Sequence, residues 1–273
     1  MLRLNGRPVE GPAPFDLADR GLTLGDGLFE TIALFGGRPA LLGAHLDRLQ
    51  AAAAEIRLPV DRAFCEAEVL TLAEQAGESD CVIRLTVTRG AGARGLALPE
   101  QATPTVIAAS SPYPKGALNA PMRLATVSVR RNPASFASRA KTLSYLDSVL
   151  AFDEARRLGA DDALMLNTDG RVASTAMANL FALVGDDLVT PPVSEGVLPG
   201  VVRGFLLQAA PGAGLSFVER PLDIETFDRA DAVFATNSVR LVMPVTMVDG
   251  VRRGTPDAVA RLAARVAREL TGG

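Results

Sequence analysis

The length, composition and charge of the chain are those of an ordinary globular protein, and they argue against several functional classes. Its 273 residues can form one large domain or two smaller ones, with 48% hydrophobic and 22% charged residues. A net charge of −3 without a basic stripe argues against nucleic-acid binding, and no apolar run reaches the roughly 20 residues that span a bilayer.

The N-terminus indicates where the protein is located, and the cysteines indicate whether it has disulfides or a metal site. Residues 1–11 contain no basic region followed by an apolar stretch, so we predict no signal peptide and a cytoplasmic location. Cys65 and Cys81 are too few for a disulfide framework, and no Cys/His cluster has the spacing of a metal site. We therefore expect two core thiols and no metal.

Helix and strand patterns alternate in the first half of the chain. Apolar residues at helical spacing predict a helix at residues 43–58. Asp61 is typical of an N-cap and predicts a second helix at residues 62–75. Residues 81–88 read C-V-I-R-L-T-V-T, which predicts a half-buried strand, and residues 103–109 predict another.

The middle of the chain has the composition of a linker. Residues 110–121 contain three prolines and a glycine. We place the linker at residues 113–121, between a small N-terminal domain at residues 1–112 and a larger domain at residues 122–273.

The second half again mixes both types of element, which favours two domains of the α/β or α+β class. The predicted strands cover residues 122–130, 163–167, 180–184 and 232–235. The predicted helices cover residues 143–158 and begin after Gly200, at the cap Asp223 and at Pro256.

Lysine is scarce in this chain, so its two positions are informative. Of the 28 basic residues, only Lys115 and Lys141 are lysines. Arginine stays protonated near neutral pH, whereas lysine can act as an amine nucleophile. Lys115 lies in the predicted linker, where a solvated charge is expected. Lys141 lies at a predicted strand-to-helix junction, where partial burial would favour Schiff-base chemistry, although a surface lysine at a helix start has the same spacing.

Three features could bind a phosphate group. Residues 200–202 begin a predicted helix, whose first backbone amides attract anions. Residues 236–238 form a polar turn after a predicted strand, and Arg48 on the first long helix could add a bidentate contact. Each feature is also common in proteins without such a ligand.

Seven segments occur in the order and spacing of one known family. They are D-R-G-L-T-L-G-D-G-L-F-E-T (residues 19–31), H-L-D-R-L (45–49), T-R-G-A-G-A-R-G (88–95), K-T-L-S-Y-L (141–146), A-N-L-F (178–181), G-V-L-P-G-V-V-R (196–203) and T-N-S-V-R-L-V-M-P-V (236–245). In these segments the chain resembles the class IV aminotransferases, the fold-type IV pyridoxal-phosphate enzymes. The resemblance implies an α/β (α+β) fold with a small N-terminal domain and a larger pseudo-barrel domain that binds the cofactor.

The resemblance also implies how pyridoxal 5′-phosphate is held. Lys141 would bind it as a Schiff base and then shuttle the proton of the substrate's Cα, with Tyr145 near the cofactor's phenolic oxygen. The phosphate ligands would be Arg48, the backbone amides of Val201 and Val202, and Ser238. His45 is the single histidine, and its motif serves structure and phosphate binding, so we do not expect it to be a general base.

The resemblance further implies a small amino substrate and a homodimer, in which a loop of one subunit reaches the other's active site. The backbone of Val239 and Arg240 would meet the substrate carboxylate. D-amino-acid transaminases trap this carboxylate with a tyrosine, an arginine and a histidine. Those places hold Phe29, Arg94 and Leu96 here, so only the arginine is kept.

The chain departs from the family at Ser174. Most members have a glutamate there, which pairs with the ring nitrogen of the cofactor and keeps it protonated. A serine can hydrogen-bond this nitrogen but cannot stabilise a proton on it as a carboxylate does. The cofactor would then be a weaker electron sink, which harms transamination more than an elimination. A usual threonine is also replaced, by Val202.

These features leave three alternatives for the activity. The pattern R-G-A-G-A-R-G favours an aminodeoxychorismate lyase, which releases pyruvate and 4-aminobenzoate for folate synthesis. D-amino-acid or branched-chain transamination is the second alternative. A cofactor-free binding protein that only keeps the fold is the third, and the retention of Lys141 in a lysine-poor chain argues against it.

Overall fold

The computed structural model describes residues 1–209 and 216–272, and the chain divides into two compact units. The first unit contains Met1–Pro114, Ala140–Ser144 and Leu270–Gly272, and the second contains Lys115–Arg139 and Tyr145–Glu269. The predicted linker at residues 113–121 would divide the chain into two continuous domains. In the structure, however, Ala140–Ser144 belongs to the first unit. Lys141 therefore packs with residues that lie far before it in sequence.

One antiparallel sheet forms the centre of the first unit. In chain order its strands are β1 (Leu2–Leu4), β2 (Arg7–Pro8), β3 (Gly27–Phe35), β4 (Arg38–Pro39), β5 (Cys81–Thr88) and β6 (Thr105–Pro112). Their spatial order is β2-β1-β6-β5-β3-β4. β3 is buried along almost its whole length, while β5 buries alternate residues. The prediction for residues 81–88 is thus confirmed, with Cys81, Ile83, Leu85 and Val87 all buried.

Three helices accompany this sheet: α1 (Arg20–Leu24), α2 (Leu42–Glu55) and α3 (Arg62–Ala76). α3 begins where the sequence predicts, because the side chain of Asp61 accepts a hydrogen bond from the Phe64 amide. α2 starts one residue before the predicted helix and ends at Glu55, three residues short of the predicted end. The ends of helices often differ in this way from the predicted bounds, since the last turn frays.

Six strands of the second unit close into a barrel. They are β7 (Met122–Thr126), β8 (Asp162–Leu166), β9 (Val172–Ser174), β10 (Asn179–Val184), β13 (Ala232–Asn237) and β14 (Leu241–Val248). The order β10-β13-β14-β7-β8-β9 returns to β10 through one residue pair, Ser174 with Asn179. β11 (Asp187–Thr190) and β12 (Ser216–Glu219) extend the sheet beyond β10, and β15 (Val251–Arg252) pairs with β14. The predicted pseudo-barrel is confirmed.

Strand periodicity decides which side chains fill this barrel. Every second residue of the barrel strands joins one buried cluster, which includes Met122, Leu164, Leu180, Val233 and Met243. The residues between them face outward, where the rings of Phe181 and Phe234 stack with their centroids 4.9 Å apart.

The helices of the second unit are α4 (Phe136–Arg139), α5 (Leu146–Arg157), α6 (Val201–Ala209), α7 (Ile224–Arg229) and α8 (Asp257–Thr271), with a 3₁₀ helix at Val193–Glu195. Two predictions were wrong in extent. The strand predicted at residues 122–130 ends at Thr126, and the helix predicted from residue 143 begins at Leu146. None of the helices described here is both long and apolar enough to cross a membrane.

Candidate active site

The backbone around Lys141 is extended and lies against the first strand residues of β3. The Phe29 amide donates to the Lys141 carbonyl (2.9 Å), and the Leu143 amide donates to the Gly27 carbonyl (3.0 Å). These bonds explain why α5 does not begin at residue 143. They also hold Lys141 half-buried, whereas Lys115 is exposed.

Two glycines of the G-D-G motif make room for this segment. A Cβ atom at Gly27 would lie 2.7 Å from the Val87 carbonyl oxygen and 2.8 Å from Leu143 Cδ1. Gly25 has a positive φ of 67°, and a Cβ there would lie 2.8 Å from Ser144 Oγ. The motif therefore places Lys141 by letting its neighbours approach the backbone closely.

The Lys141 amine lies beside an aromatic ring. Its Nζ atom is 4.4 Å from the ring centroid of Phe29, which is only 4% exposed. The guanidinium carbon of Arg84 is 3.6 Å from the same centroid. Arg84 lies on β5. Its alternation with the buried residues of the strand predicts only that it faces away from them, and it does not predict this contact. Phe29 is thus in contact with two cationic side chains.

A buried network next to Phe29 fixes Arg48. Arg48 donates through Nε to Glu30 Oε1 (2.9 Å) and through Nη2 to Glu30 Oε2 (2.5 Å), which is a bidentate pair. His45 Nδ1 lies 2.6 Å from Glu30 Oε2. Glu30 belongs to the segment at residues 19–31, but nothing in the sequence shows that β3 and α2 bring Glu30, His45 and Arg48 together.

The charges in this network are well defined. Burial raises the pKa of Glu30, but the charge of Arg48 and hydrogen bonds from His45 and Arg48 outweigh it and hold the pKa at about 2. Burial lowers the pKa of His45, which therefore stays neutral and donates its Nδ1 proton to Glu30. His45 Nε2 is buried without a hydrogen-bond partner among the described residues. A histidine in this state orients a carboxylate rather than serving as a general base.

In the second unit, the start of α6 is shaped like an anion site. A Cβ atom at Gly200 would lie only 1.9 Å from Asn179 Oδ1, so glycine is required there. Asn179 in turn donates to the Leu198 carbonyl (2.8 Å), which fixes the turn before the helix. The amides of Val201 and Val202 belong to the first helical turn, where no intrahelical acceptor exists for them.

The polar turn after β13 contains one buried hydroxyl that suits the predicted phosphate site and two backbone amides that are already hydrogen-bonded. Thr236 Oγ1 is buried and has no hydrogen-bond partner within the described parts of the chain, and Ser238 lies half-buried two residues further on. The amides of Val239 and Arg240 both donate to Asn237 Oδ1, at 3.1 and 2.8 Å. Their contact with a substrate carboxylate stays a prediction, since this side chain already occupies them.

Ser174 lies on β9 next to an arginine that the sequence did not single out. Arg131 Nε donates to Ser174 Oγ (3.2 Å), and Ser174 donates to the Thr175 carbonyl (2.9 Å). Arg131 Nη2 reaches Ser148 Oγ at 3.2 Å and two backbone carbonyls. Burial lowers the pKa of Arg131, an effect that Tyr145, Asp147 and Asp162 partly offset. Within the described residues, no carboxylate accepts a hydrogen bond from Arg131.

Among the predicted site residues, the first unit contains Phe29, Arg48 and Lys141. Lys141 lies beside the Phe29 ring, and Arg48 pairs with Glu30. Arg94 lies in an exposed loop of the same unit. The second unit contains the remaining predicted residues, which are Tyr145, Ser174, Val201, Val202, Ser238, Val239 and Arg240.

A comparison with known families identifies the chain. The family model described as amino-transferase class IV matches residues 27–248. The chain belongs to this family. The class IV aminotransferases and the aminodeoxychorismate lyases use pyridoxal 5′-phosphate, so this chain is a pyridoxal-phosphate-dependent enzyme. The predictions of family, enzyme class and cofactor are confirmed.

Individual relatives cover nearly the whole chain. A Methanocaldococcus jannaschii protein named "Putative branched-chain-amino-acid aminotransferase" is 36% identical over 90% of this chain and 87% of its own length. The aminodeoxychorismate lyase of Bacillus subtilis is 28% identical over 95% and 90%, respectively. The crystal structure of 4-amino-4-deoxychorismate lyase from Pseudomonas aeruginosa has a TM-score of 0.89 and 32% identity, covering 99% of this chain and 100% of that one.

The residues of this class IV enzyme suit its cofactor. Lys141 supplies an amine, and Arg48 supplies a charge held in one orientation by Glu30. In the second unit, the cradle at Gly200 and the unpartnered Thr236 hydroxyl suit a phosphate dianion, which needs several hydrogen-bond donors.

Proposed function

We propose that this enzyme is an aminodeoxychorismate lyase, which releases pyruvate and 4-aminobenzoate in a cytoplasmic step of folate synthesis. The observation that carries the proposal is the pair formed by Arg131 and Ser174, at the position where the family resemblance implies a glutamate. The similarity to the lyase of Pseudomonas aeruginosa, over the full length of both chains, supports the same activity.

When bound, pyridoxal phosphate supplies an electron sink for bond breaking at the substrate's Cα. Residues of the protein bind the cofactor, orient it and transfer the proton. Lys141 holds the cofactor and moves the Cα proton at its Nζ atom. Glu30 aligns Arg48 on the phosphate, and neutral His45 fixes Glu30 without adding a charge. The half-buried position of Lys141 keeps its amine partly withdrawn from water.

The chemistry at Ser174 favours elimination over transamination. A serine hydroxyl stabilises a proton on a neighbouring nitrogen far less than a carboxylate does, and the positive charge of Arg131 opposes protonation. Transamination requires electrons to rest in the cofactor, whereas elimination passes them to a departing group. Elimination therefore suffers less from the missing carboxylate.

Transamination is the second candidate, because the archaeal relative named above is 36% identical to this chain. A D-alanine aminotransferase of Bacillus licheniformis is 29% identical over 92% of the chain. Against the D-amino-acid branch, Phe29 and Leu96 replace the tyrosine and histidine expected of its carboxylate trap.

We also propose a homodimer. Large apolar side chains are exposed on both units, with Leu96 83%, Leu146 68% and Val149 58% accessible. Exposed apolar surface of this kind is typical of protein interfaces. A fully active monomer at micromolar concentration, measured by light scattering, would contradict this proposal.

A parallel assay tests the proposed reaction. The holoenzyme is given aminodeoxychorismate in one set, and D- and L-amino acids with a keto-acid acceptor in the other. We expect pyruvate and 4-aminobenzoate at a kcat/KM well above that of any transamination. A higher kcat/KM for an amino acid would replace the lyase proposal with the transaminase alternative.

A further inference from the structure

The loop at residues 91–100 has exposed side chains but a firmly held backbone. It carries Arg94, and its most exposed large apolar residue is Leu96. Arg20 Nη1 donates to the carbonyls of Gly95 (3.0 Å) and Ala97 (3.2 Å), and its Nη2 donates to the Leu96 carbonyl (3.4 Å). Three successive peptide units just after Arg94 are thus bound to one side chain.

Arg20 is itself fixed inside the first unit. It is only 4% exposed, and its Nε atom donates to Asp26 Oδ2 at 2.9 Å. Burial opposes ionisation of Asp26, but hydrogen bonds from Arg89 and Arg20 outweigh it and lower the pKa of this carboxyl. Arginine suits this role because its planar group presents donors on three separate nitrogens in a fixed geometry, whereas the donors of lysine share one nitrogen.

Arg89 contacts the same carboxylate as Arg20 but not the loop, so the two arginines can be compared. The Nε atom of Arg89 donates to the same Asp26 Oδ2 atom at 2.8 Å. Its other nitrogens donate to the carbonyls of Ile56 and Arg57, at 2.9 and 2.8 Å, and not to the loop. Arg20 and Arg89 therefore share one carboxylate, but only Arg20 binds the segment that follows Arg94.

The loop also passes directly over the stem of Arg20. A Cβ atom at Gly92 would lie 2.9 Å from Arg20 Cδ and 3.3 Å from its Cγ. Four hydrogen bonds hold the Arg20 side chain, so it cannot move aside without losing some of them. Glycine at position 92 is consequently part of the same arrangement.

We propose that Arg20 is a positioning residue that holds the loop so that Arg94 meets the carboxylate of the substrate. This step rests on the proposed function and on the role that the family resemblance implies for Arg94, which is to bind that carboxylate. A loop ordered before the substrate arrives loses less conformational entropy on binding, so the substrate binds more tightly. Arg20 acts through the loop backbone and contacts neither substrate nor cofactor.

The experiment measures loop opening and substrate binding separately in the holoenzyme. Limited trypsin digestion is followed by mass spectrometry at the Arg94–Gly95 bond, with the Arg157–Leu158 bond of the second unit as internal reference. Arg20→Gln and Gly92→Ala disturb the arrangement from opposite sides, and Arg89→Gln is the matched control. Bound-cofactor absorbance verifies that each variant is folded.

We expect Arg20→Gln and Gly92→Ala to accelerate cleavage after Arg94 by about tenfold, because cleavage of a folded protein follows local opening. KM for the substrate should rise by a similar factor and kcat should change less. Arg20→Lys keeps the charge but has fewer donors, so its cleavage rate and its KM should lie between those of the parent and those of Arg20→Gln. Arg89→Gln should leave cleavage after Arg94 within about twofold of the parent.

Two results would overturn the proposal in different ways. Equal cleavage in Arg20→Gln and Arg89→Gln would mean that Arg20 does not hold the loop. Faster cleavage with unchanged KM would mean that the loop is held for another reason. Arg94→Ala separates this from the proposed function: an unchanged KM there removes Arg94 from substrate binding, while the lyase assay still reports on the reaction.

Discussion

Two half-buried arginines, one in each unit, differ in what holds them. Arg48 makes a bidentate pair with the buried carboxylate of Glu30, whereas Arg131 donates to the hydroxyls of Ser174 and Ser148 and to backbone carbonyls. In the first region, which is the surroundings of Arg48 in the first unit, the negative charge of Glu30 lies beside the arginine. The second region is the surroundings of Arg131 in the second unit. In the second region, no carboxylate among the described residues accepts a hydrogen bond from the arginine.

The difference shows how one type of side chain can serve two purposes. A carboxylate fixes the direction of the Arg48 guanidinium and partly balances its charge, which suits a group that must grip a phosphate. Asp147 and Asp162 favour the charged form of Arg131, but among the described residues neither accepts a hydrogen bond from it. The positive charge of Arg131 opposes protonation of a group next to Ser174. The four predictions below test the two sides of this comparison.

The largest effect is expected at Lys141, beside the first region. Lys141→Ala should abolish both the visible absorbance of the bound cofactor and all turnover, since no other half-buried amine is available in this lysine-poor chain. Absorbance spectra and the lyase assay measure this. Lys115→Ala, at the exposed lysine, is the control and should leave both nearly intact. Full activity of Lys141→Ala would end the proposed mechanism.

The next effect concerns acid stability in the first region. The pKa of Glu30 lies at about 2 in the folded protein, against 4.5 for an ordinary glutamate. A lowered pKa gives stability that is present above pH 4.5 and is lost as the pH falls toward 2. The shift corresponds to about 3 kcal/mol in the free energy of unfolding. Denaturant unfolding of the parent and of Glu30→Gln, at several pH values, measures it.

The difference in stability between these two proteins should be largest above pH 4.5 and shrink steadily below it. His45 adds a change of the same sign at higher pH, because its pKa is also lowered and an unfolded histidine takes up a proton more readily. A constant difference across the whole acid range would show that folding does not lower the pKa of Glu30.

A third prediction concerns cofactor affinity. Glu30→Gln removes the charge that aligns Arg48, so we expect the Kd for pyridoxal phosphate to rise by roughly thirtyfold, or about 2 kcal/mol. The matched control is Glu68→Gln, since Glu68 is also buried in the first unit and pairs with Arg3 at 3.0 and 3.1 Å. It should lower stability without changing the Kd. Equal losses of affinity would mean that the effect is only structural.

The smallest effect is expected in the second region. Ser174→Glu introduces the missing carboxylate next to Arg131, which should favour protonation of the cofactor's ring nitrogen. Any transaminase half-reaction should then speed up by about tenfold, equal to roughly 1.4 kcal/mol, and elimination should gain less. Ser174→Ala is the control that removes the hydroxyl without adding charge. Single-turnover rates of both reactions measure the difference.

Equal acceleration of both reactions would show that electron withdrawal does not separate them. No change in either, in a folded Ser174→Glu variant, would mean that another residue faces the ring nitrogen. A glutamate that pairs fully with Arg131 would raise the stability of the second unit while leaving the rates unchanged, which unfolding measurements would detect.

The sequence alone was enough to determine those features that depend on local chemistry. The cap at Asp61 and the alternation of residues 81–88 are each visible within a few residues. The seven segments identify the family and its cofactor. These predictions succeeded because backbone hydrogen bonding and side-chain periodicity act over one or two turns.

Only the tertiary structure decided which distant residues meet. Residues 140–144 return to the first unit, Arg131 reaches Ser174 from 43 positions away, and Arg20 binds carbonyls about 75 positions ahead. The helix predicted from residue 143 starts at Leu146 because pairing with β3 overrides its local preference. Such contacts depend on the order of the strands and on the closure of the barrel. Neither of these can be predicted from the spacing of residues in a single sequence.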